Sequence, residues 1–315
     1  MKYRILASEK FAIPERFLGA VEIDIIDDLW RDNHKLAALS KNYDALIVRN
    51  MTQVDRPLLS QFESIRVIGR LGAGTENIDI NYANQCAIPV VYAPVQNTNA
   101  VAEFCVAQIF NALRQIPDAI NETKQGEWNR GKYLSLGREV SSCTLGIVGF
   151  GNIGKALALK MHALGAKVMV FNRTPSKVTL PFQCCELETL LRSSDVVSIH
   201  LPGNNATKNF INEKNIKQLK KGAFLLNSSR GDVIDEKALL ASLASKQLAG
   251  AMLDVRAYEP ASIDALCAHE NVYPTPHIAA FTVESQAAIS ESVITDILKV
   301  LSNESPQYPV PIARN

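Results

Sequence analysis

Short runs of β-branched and other apolar residues alternate along most of the chain with segments whose apolar positions recur every three to four residues. That alternation predicts an α/β fold of parallel sheets with helices on both faces, since each strand run is apolar on both sides and each helix on one. In the first third, strands are expected at 3–7, 21–26, 45–48, 65–68 and 89–92, with helices at 28–39, 56–62 and 79–85. Five strands with intervening helices predict a small flavodoxin-like unit. A long amphipathic helix is expected from 99 to 116, closed by Pro117. The stretch 121–138, rich in Gly, Asn and charge, reads as loop. A second α/β series follows, with strands at 144–148, 167–171, 196–200, 224–227 and 251–254. A long amphipathic helix is expected at 283–301, and Pro306, Pro309 and Pro311 exclude helix in the tail.

At 315 residues the chain exceeds what one core usually supports, so two domains are expected. Its 33 basic and 32 acidic residues leave a net charge of +1, too little to attract a polyanion, and nucleic acid is not an expected partner. No run approaches the roughly 18 apolar residues of a membrane span, and residues 1–17 carry no secretory signal. The six cysteines show neither metal-ligand spacing nor a disulfide framework. They read as thiols of a reducing compartment, which makes the expected location cytoplasmic and the expected metal content nil.

The sharpest local signal is TLGIVGFGNIGKALALKMHALGAKVMVFNRT (144–174). A buried strand leads into Gly149, Gly151 and Gly154, spaced GxGxxG, with Asn152 and Ile153 opening the helix that follows. Gly165 stops that helix before the next strand. The first glycine makes a tight turn, the second admits a pyrophosphate to the backbone, and the third lets helix and strand pack closely. The helix N-terminus supplies free amides and a favourable dipole for the anion. Alone the motif could be a packing loop, but inside a βαβ unit of this length it predicts a dinucleotide site.

Several separated motifs together resemble the D-isomer-specific 2-hydroxyacid dehydrogenase family. They are RLGAGTENID (70–79), NTNAVAE (97–103), VGFGNIG (148–154), HLPGNNAT (200–207), LLNSSRGDVID (225–235), LDVRAYEP (253–260) and TPHIAAFT (275–282). The resemblance implies a Rossmann dinucleotide domain inserted into a flavodoxin-like substrate domain. It places residues 1–98 and 286–315 in the substrate domain and 99–285 in the dinucleotide domain, and it implies a homodimer.

The resemblance also implies an Arg–Glu–His set, matched here by Arg230, Glu259 and His277. Reduction of a ketone leaves negative charge on oxygen, so a proton donor and a fixed cation are required. His277 would exchange the proton, a task suited to an imidazole, whose ordinary pKa is about 6.5. Glu259 would fix the ring's tautomer, and Arg230 would bind carboxylate and carbonyl oxygens with a planar fork. Taken singly, His277 could be a turn histidine, and Arg230 and Glu259 solvated surface charges. The resemblance further implies that backbone amides at Ala73 and Gly74 bind the substrate carboxylate. Arg49 is either a cation for a substrate's distal group or a strand-end surface arginine. His200, Pro202 and Asp254 match cofactor-contacting positions, with a structural cap the competing reading of Asp254.

One position departs from the family habit. Many relatives keep an acid at the end of the second Rossmann strand to accept from the adenosine ribose, whereas this chain has Asn172, then Arg173 and Thr174. Such a trio can bind a 2′-phosphate that an acid would repel, so NADP is the expected cofactor and NAD the alternative. The function expected is NADPH-linked reduction of a small 2-oxo acid such as glyoxylate or hydroxypyruvate. The alternatives are 3-phosphoglycerate dehydrogenase, although a further regulatory domain is not expected here, and a non-catalytic corepressor-like dinucleotide sensor.

Overall fold

The structure, a computed structural model, describes residues 3–134, 136–179 and 181–311. The expected outer limits of the substrate domain, residues 1 and 315, lie outside the described residues. The chain divides into two units: residues up to Asn97 with those from Phe281 onward, and Thr98–Ala280.

Unit 1 holds β1 (Arg4–Ala7), β2 (Glu22–Ile25), β3 (Ala45–Val48), β4 (Val67–Arg70) and β5 (Val90–Tyr92), all parallel, in the order β2-β1-β3-β4-β5. Helices α1 (Asn33–Ser40), α2 (Arg56–Leu59) and α3 (Ile80–Gln85) connect the strands. The alternation of side chains along each strand explains the two cores. Leu6, Leu46, Val48, Ile68 and Val90 face a cluster with Leu36, Leu58 and Ala83 of α1–α3. Their neighbours Ile5, Ala7, Ala45, Ile47, Val67 and Val91 face the long helix Val283–Leu301 through Ile289, Val293, Ile294 and Ile297. A Cβ on Gly69 would lie 2.5 Å from Ile297 Cδ1, so glycine there sets how closely that helix approaches β4. Residues 308–310 run extended along β5, bonded Tyr92 N to Tyr308 O and Val310 N to Val90 O, a conformation that Pro309 accepts because its φ suits extended backbone.

Unit 2 opens with α4 (Thr98–Arg114) and α5 (Ile116–Lys124). Its sheet comprises β6 (Thr144–Val148), β7 (Lys167–Phe171), β8 (Val196–Ile199), β9 (Ala223–Asn227), β10 (Leu248–Leu253) and β11 (Val272–Pro274), in the order β11-β10-β9-β8-β6-β7, again all parallel. The crossovers are α6 (Asn152–Ala163), α7 (Leu187–Ser193), α8 (Glu213–Gln218) and α9 (Glu236–Ala244), and the helix Val283–Leu301 of unit 1 is α10. Leu145, Ile147, Val170, Leu226 and Met252 pack on α4 and α6. Val148, Val197, Ile199, Leu225 and Leu253 pack on α7–α9. Both units are thus doubly wound α/β sheets, and in the second the strand order reverses between β6 and β8.

Two expectations need correction. The stretch from 121 is not loop at its start, because α5 runs to Lys124. Gln115 turns the chain with φ +49, and Pro117 then sits in the first turn of a new helix, where its missing N–H costs nothing. The strand β11 was not expected at all: it is three residues long and too short for any periodicity. Among the described residues no helix is long and apolar enough to cross a membrane, and no group of three or more His, Cys, Asp or Glu could hold a metal ion.

Asp195 ties the amino ends of three strands together. Its backbone bonds Thr144 O and accepts from Phe224 N, while its buried carboxylate accepts from Thr144 N (2.8 Å), Arg138 Nη1 (2.8 Å) and Lys220 Nζ (2.7 Å). Burial alone would raise its pKa, but the bonds from Arg138, Lys220 and the Thr144 amide outweigh it and hold the carboxyl at about 2. A depressed folded-state pKa stabilises the protein above the unfolded carboxyl range and loses that stabilisation as pH falls through the folded value. Asp195→Asn is therefore expected to cost about 1–2 kcal/mol at neutral pH. In denaturant titrations across pH, the difference from wild type should shrink between about pH 4 and pH 2.

Candidate active site

The glycine loop joins β6 to α6. Gly149 has φ +99, a conformation that favours glycine, and a Cβ there would lie 2.5 Å from the His200 carbonyl oxygen. A Cβ on Gly154 would overlap the Gly149 carbonyl, so helix and strand approach only because the side chain is missing. Gly151 has open space where its Cβ would stand, and it caps α6 without any side-chain bond to the first amides. An open cradle of uncapped amides at Asn152 and Ile153 fits a dinucleotide pyrophosphate.

At the end of β7, Asn172 Oδ1 accepts from Phe150 N (3.1 Å) and its Nδ2 donates to Thr174 O (2.9 Å). The side chain therefore fastens the glycine loop to the strand end, while Arg173 and Thr174 are exposed. His200 follows β8, and its Nε2 meets Ser198 Oγ at 2.9 Å. Burial lowers its pKa to about 4, so the ring is neutral at pH 7. The Pro202 carbonyl accepts from Thr207 Oγ1 (2.6 Å), closing the turn after it.

Arg230, Glu259 and His277 all stand on loops beyond the carboxyl ends of unit 2 strands. His277 Nδ1 lies 2.7 Å from Glu259 Oε2, with the two side chains 34% and 27% exposed. Burial pushes the Glu259 carboxyl up, but the bond and charge of His277, the Arg256 amide and the charge of Arg230 outweigh it and hold the pKa below its ordinary value. An ionised carboxylate only accepts, so Nδ1 carries a proton and Nε2 is the nitrogen left for proton exchange.

The His277 backbone has φ +55, which is costly for a side chain with a Cβ. It is held there by bonds from His277 N to Asp254 O (2.8 Å) and Thr275 O (3.0 Å). The buried Asp254 carboxylate accepts from Thr275 Oγ1 (2.7 Å), Ile278 N (2.8 Å) and Ala279 N (2.8 Å). Asp254 therefore has three internal donors and organises the His277 loop.

Sequence reasoning assigned nothing to Asn227, which is 1% exposed at the end of β9. Its Nδ2 donates to Arg230 O (2.8 Å), its Oδ1 accepts from Ser229 N (3.0 Å) and Ser229 Oγ (2.8 Å), and its carbonyl takes Asp254 N. Arg230 Nη1 donates to Ser229 O (2.6 Å). A Cβ on Gly203 would lie 2.8 Å from Arg230 Cγ, so that glycine makes room for the arginine stem. A polar residue ending an apolar strand was the available signal for Asn227; nothing local marked Gly203.

Arg49, Ala73 and Gly74 belong to unit 1, on the loops after β3 and β4. Arg49 Nη2 donates to Gln286 Oε1 (2.9 Å) and Nη1 to Lys10 O (3.3 Å), and the guanidinium lies over the Phe281 ring. Burial lowers its pKa, with Glu9 partly offsetting. Asn77 Nδ2 joins the two loops by donating to Arg49 O and Thr52 O.

Residues 106–279 match the model of the D-isomer specific 2-hydroxyacid dehydrogenase NAD binding domain. The chain is 38% identical over 275 residues to (S)-sulfolactate dehydrogenase of Chromohalobacter salexigens, covering 86% of this chain and 88% of that protein. It is 35% identical over 302 residues to D-3-phosphoglycerate dehydrogenase of Bacillus subtilis, covering 94% of this chain but only 57% of the relative. A solved NADPH-dependent glyoxylate/hydroxypyruvate reductase of Sinorhizobium meliloti, in complex with NADP and malonate, superposes with a TM-score of 0.87 at 28% identity, covering 100% of this chain and 99% of that one. With the glycine loop and the loops bearing Arg230, Glu259 and His277 on a doubly wound sheet, these matches establish that the chain belongs to the D-isomer-specific 2-hydroxyacid dehydrogenase family.

Proposed function

We propose that the protein is an NADPH-linked reductase of a small 2-oxo acid of the glyoxylate or hydroxypyruvate type, with Thr98–Ala280 as the dinucleotide domain and the two chain ends as the substrate domain. The observation that carries this reading is the 2.7 Å His277–Glu259 pair on loops at the carboxyl edge of a sheet that also bears the glycine cradle. When bound, the nicotinamide supplies the hydride. Arg230 binds the substrate's carboxylate and carbonyl oxygens, placing the carbonyl carbon for transfer. His277 delivers a proton from Nε2 to the carbonyl oxygen, and Glu259 holds the ring and balances its charge. Gly149, Gly151, Asn152, Ile153 and Gly154 hold the pyrophosphate. His200, Pro202 and Asp254 line the dinucleotide site, the last chiefly by shaping the His277 loop. Ala73 and Gly74 are assigned to the substrate carboxylate.

A second reading, a substrate with a distal anion, is favoured by one observation. Arg49 is partly buried, both its side-chain bonds end on neutral oxygens, and Glu9, the carboxylate that acts on its charge, bonds its backbone amide, which leaves the guanidinium suited to a phosphate or sulfonate. The relatives named for phosphoglycerate and sulfolactate act on compounds with such a group. We further infer a homodimer through α5 and the segment after it, where Ile120, Trp128 and Leu134 are exposed, Trp128 by 85%.

His277→Ala is expected to lower turnover by about 10²–10⁴ while NADPH affinity stays near wild type; near-normal turnover would remove His277 from the chemistry. A panel of glyoxylate, hydroxypyruvate, 3-phosphohydroxypyruvate and 3-sulfopyruvate then decides the substrate class. If the distal anion is read by Arg49, Arg49→Gln raises the Michaelis constant for the last two only.

The cofactor preference rests on Asn172, Arg173 and Thr174. Arg173→Ala should weaken NADPH by about one to two powers of ten, the worth of a charge-assisted bond to the 2′-phosphate, and leave NADH nearly unchanged. Asn172→Asp should shift preference further toward NADH, although it loses the bond to Thr174 O. The measurement is the ratio of kcat/KM for the two cofactors, and a wild type that prefers NADH would overturn the assignment.

A further inference from the structure

The loop that carries Glu259 has no apolar anchor of its own. Residues 257–265 are all exposed, with Tyr258 at 87% and Ile263 at 92%, and the next buried side chain is Leu266. A carboxylate on such a loop needs polar restraints to stay within hydrogen-bond distance of His277, and the structure places them on one residue. The Arg256 side chain is 8% exposed. Its Nε and Nη2 meet the two carboxylate oxygens of Glu236 at 2.8 and 3.1 Å, a two-point fork at the start of α9. Nη2 also reaches Asp264 Oδ2 (2.7 Å), and Nη1 reaches Asp264 Oδ1 (3.4 Å) and Cys267 Sγ (2.5 Å). Glu236 Oε1 accepts from Ala257 N as well (3.0 Å). Both ends of the exposed loop, at 256–257 and at 264, are therefore held by one buried cation and its two carboxylates.

The backbone of the same residue reaches the candidate site. Arg256 N donates to Glu259 Oε1 (3.1 Å), leaving Oε2 for His277. On the other side, a Cβ on Gly231 would overlap the Arg256 carbonyl carbon and oxygen and the Ala257 nitrogen, so the Arg230–Gly231 turn packs directly on this backbone.

We propose that Arg256 is the positioning residue of this site, its guanidinium bridging Glu236 and Asp264 so that its own amide orients Glu259 toward His277. The proposal rests on the acid–base reading of Glu259 and His277. The charges drive the bridge: Glu236 first and Asp264 next hold Arg256 firmly protonated, and Arg256 holds the Asp264 carboxyl at about 2. The groups that hold Glu259 itself ionised are His277, the Arg256 amide and Arg230. Loss of the amide's contribution moves the Glu259 carboxyl up.

The test compares full-length wild type with Arg256→Met, Arg256→Lys, Glu236→Gln and Glu259→Gln. Two properties are read: the downfield imidazole N–H proton resonance of His277 in the free protein, and kcat and KM with NADPH and glyoxylate or hydroxypyruvate across pH. Arg256→Met is expected to broaden or abolish the resonance and to lower kcat about ten- to hundredfold. It should also move the acid limb of kcat to higher pH, while KM for NADPH changes less than about twofold. Arg256→Lys keeps the charge but not the fork, so it should fall between the two. Should Arg256→Met fail to fold, Glu236→Gln carries the test, with the same signature to a smaller degree. A lower melting temperature with unchanged resonance, kcat and acid limb makes Arg256 merely structural and overturns the proposal. If Glu259→Gln also leaves resonance and kcat intact, or wild type turns over no 2-oxo acid, the acid–base reading itself falls and the proposal with it.

Discussion

Parallel strands buried on both faces cannot carry chemistry along their length, because every inward side chain is needed for packing. Polar function is driven to where the strands stop. All strands of a parallel sheet stop at the same edge, so loops far apart in sequence arrive there together. In unit 2 the loops after β6, β7, β8, β9 and β10 and the turn after β11 all open at that edge. The glycine cradle, Asn172, His200, Arg230, Glu259 and His277 are brought into one neighbourhood by this constraint.

What the edge does not supply is precision, and the structure supplies it with buried polar side chains that touch backbone rather than ligand. Asn227 binds the carbonyl of Arg230, and Asp254 gathers Thr275, Ile278 and Ala279 so that His277 sits at a positive φ. Each is almost fully buried with its polar atoms matched to internal partners, the condition under which a buried polar group fixes a geometry instead of weakening a core. Arg256 belongs to the same class, except that it holds an exposed loop through charge.

The contact between Glu259 and His277 depends in turn on that scaffold. An ionised Glu259 dictates which ring nitrogen of His277 carries the proton, and hence which one is left for another partner. The half-buried His200 in the same unit shows the opposite treatment: with a hydroxyl rather than a carboxylate beside its ring, desolvation lowers its pKa with no opposing charge.

Much of this was legible in the sequence. The strands 144–148 and 167–171 and the helix 283–301 coincide with β6, β7 and α10, because long apolar runs and full amphipathic turns leave little choice of element. The glycine spacing was equally legible, since only residues without a Cβ fit where Gly149 and Gly154 stand. The ends of elements were less so. Pro117 read as a stop but lies in the first turn of α5, because Gln115, two residues before it, adopts a left-handed turn that no local pattern announces. Arg256 was equally hidden. As a charge next to a strand end it looks like a solvated side chain, and only the fold brings Glu236, twenty residues earlier on another element, against it. Residue type and spacing alone set which side chains can pack and which cannot enter a core. Which polar residues meet is settled only on folding, because such pairings depend on distances across loops that no local periodicity encodes.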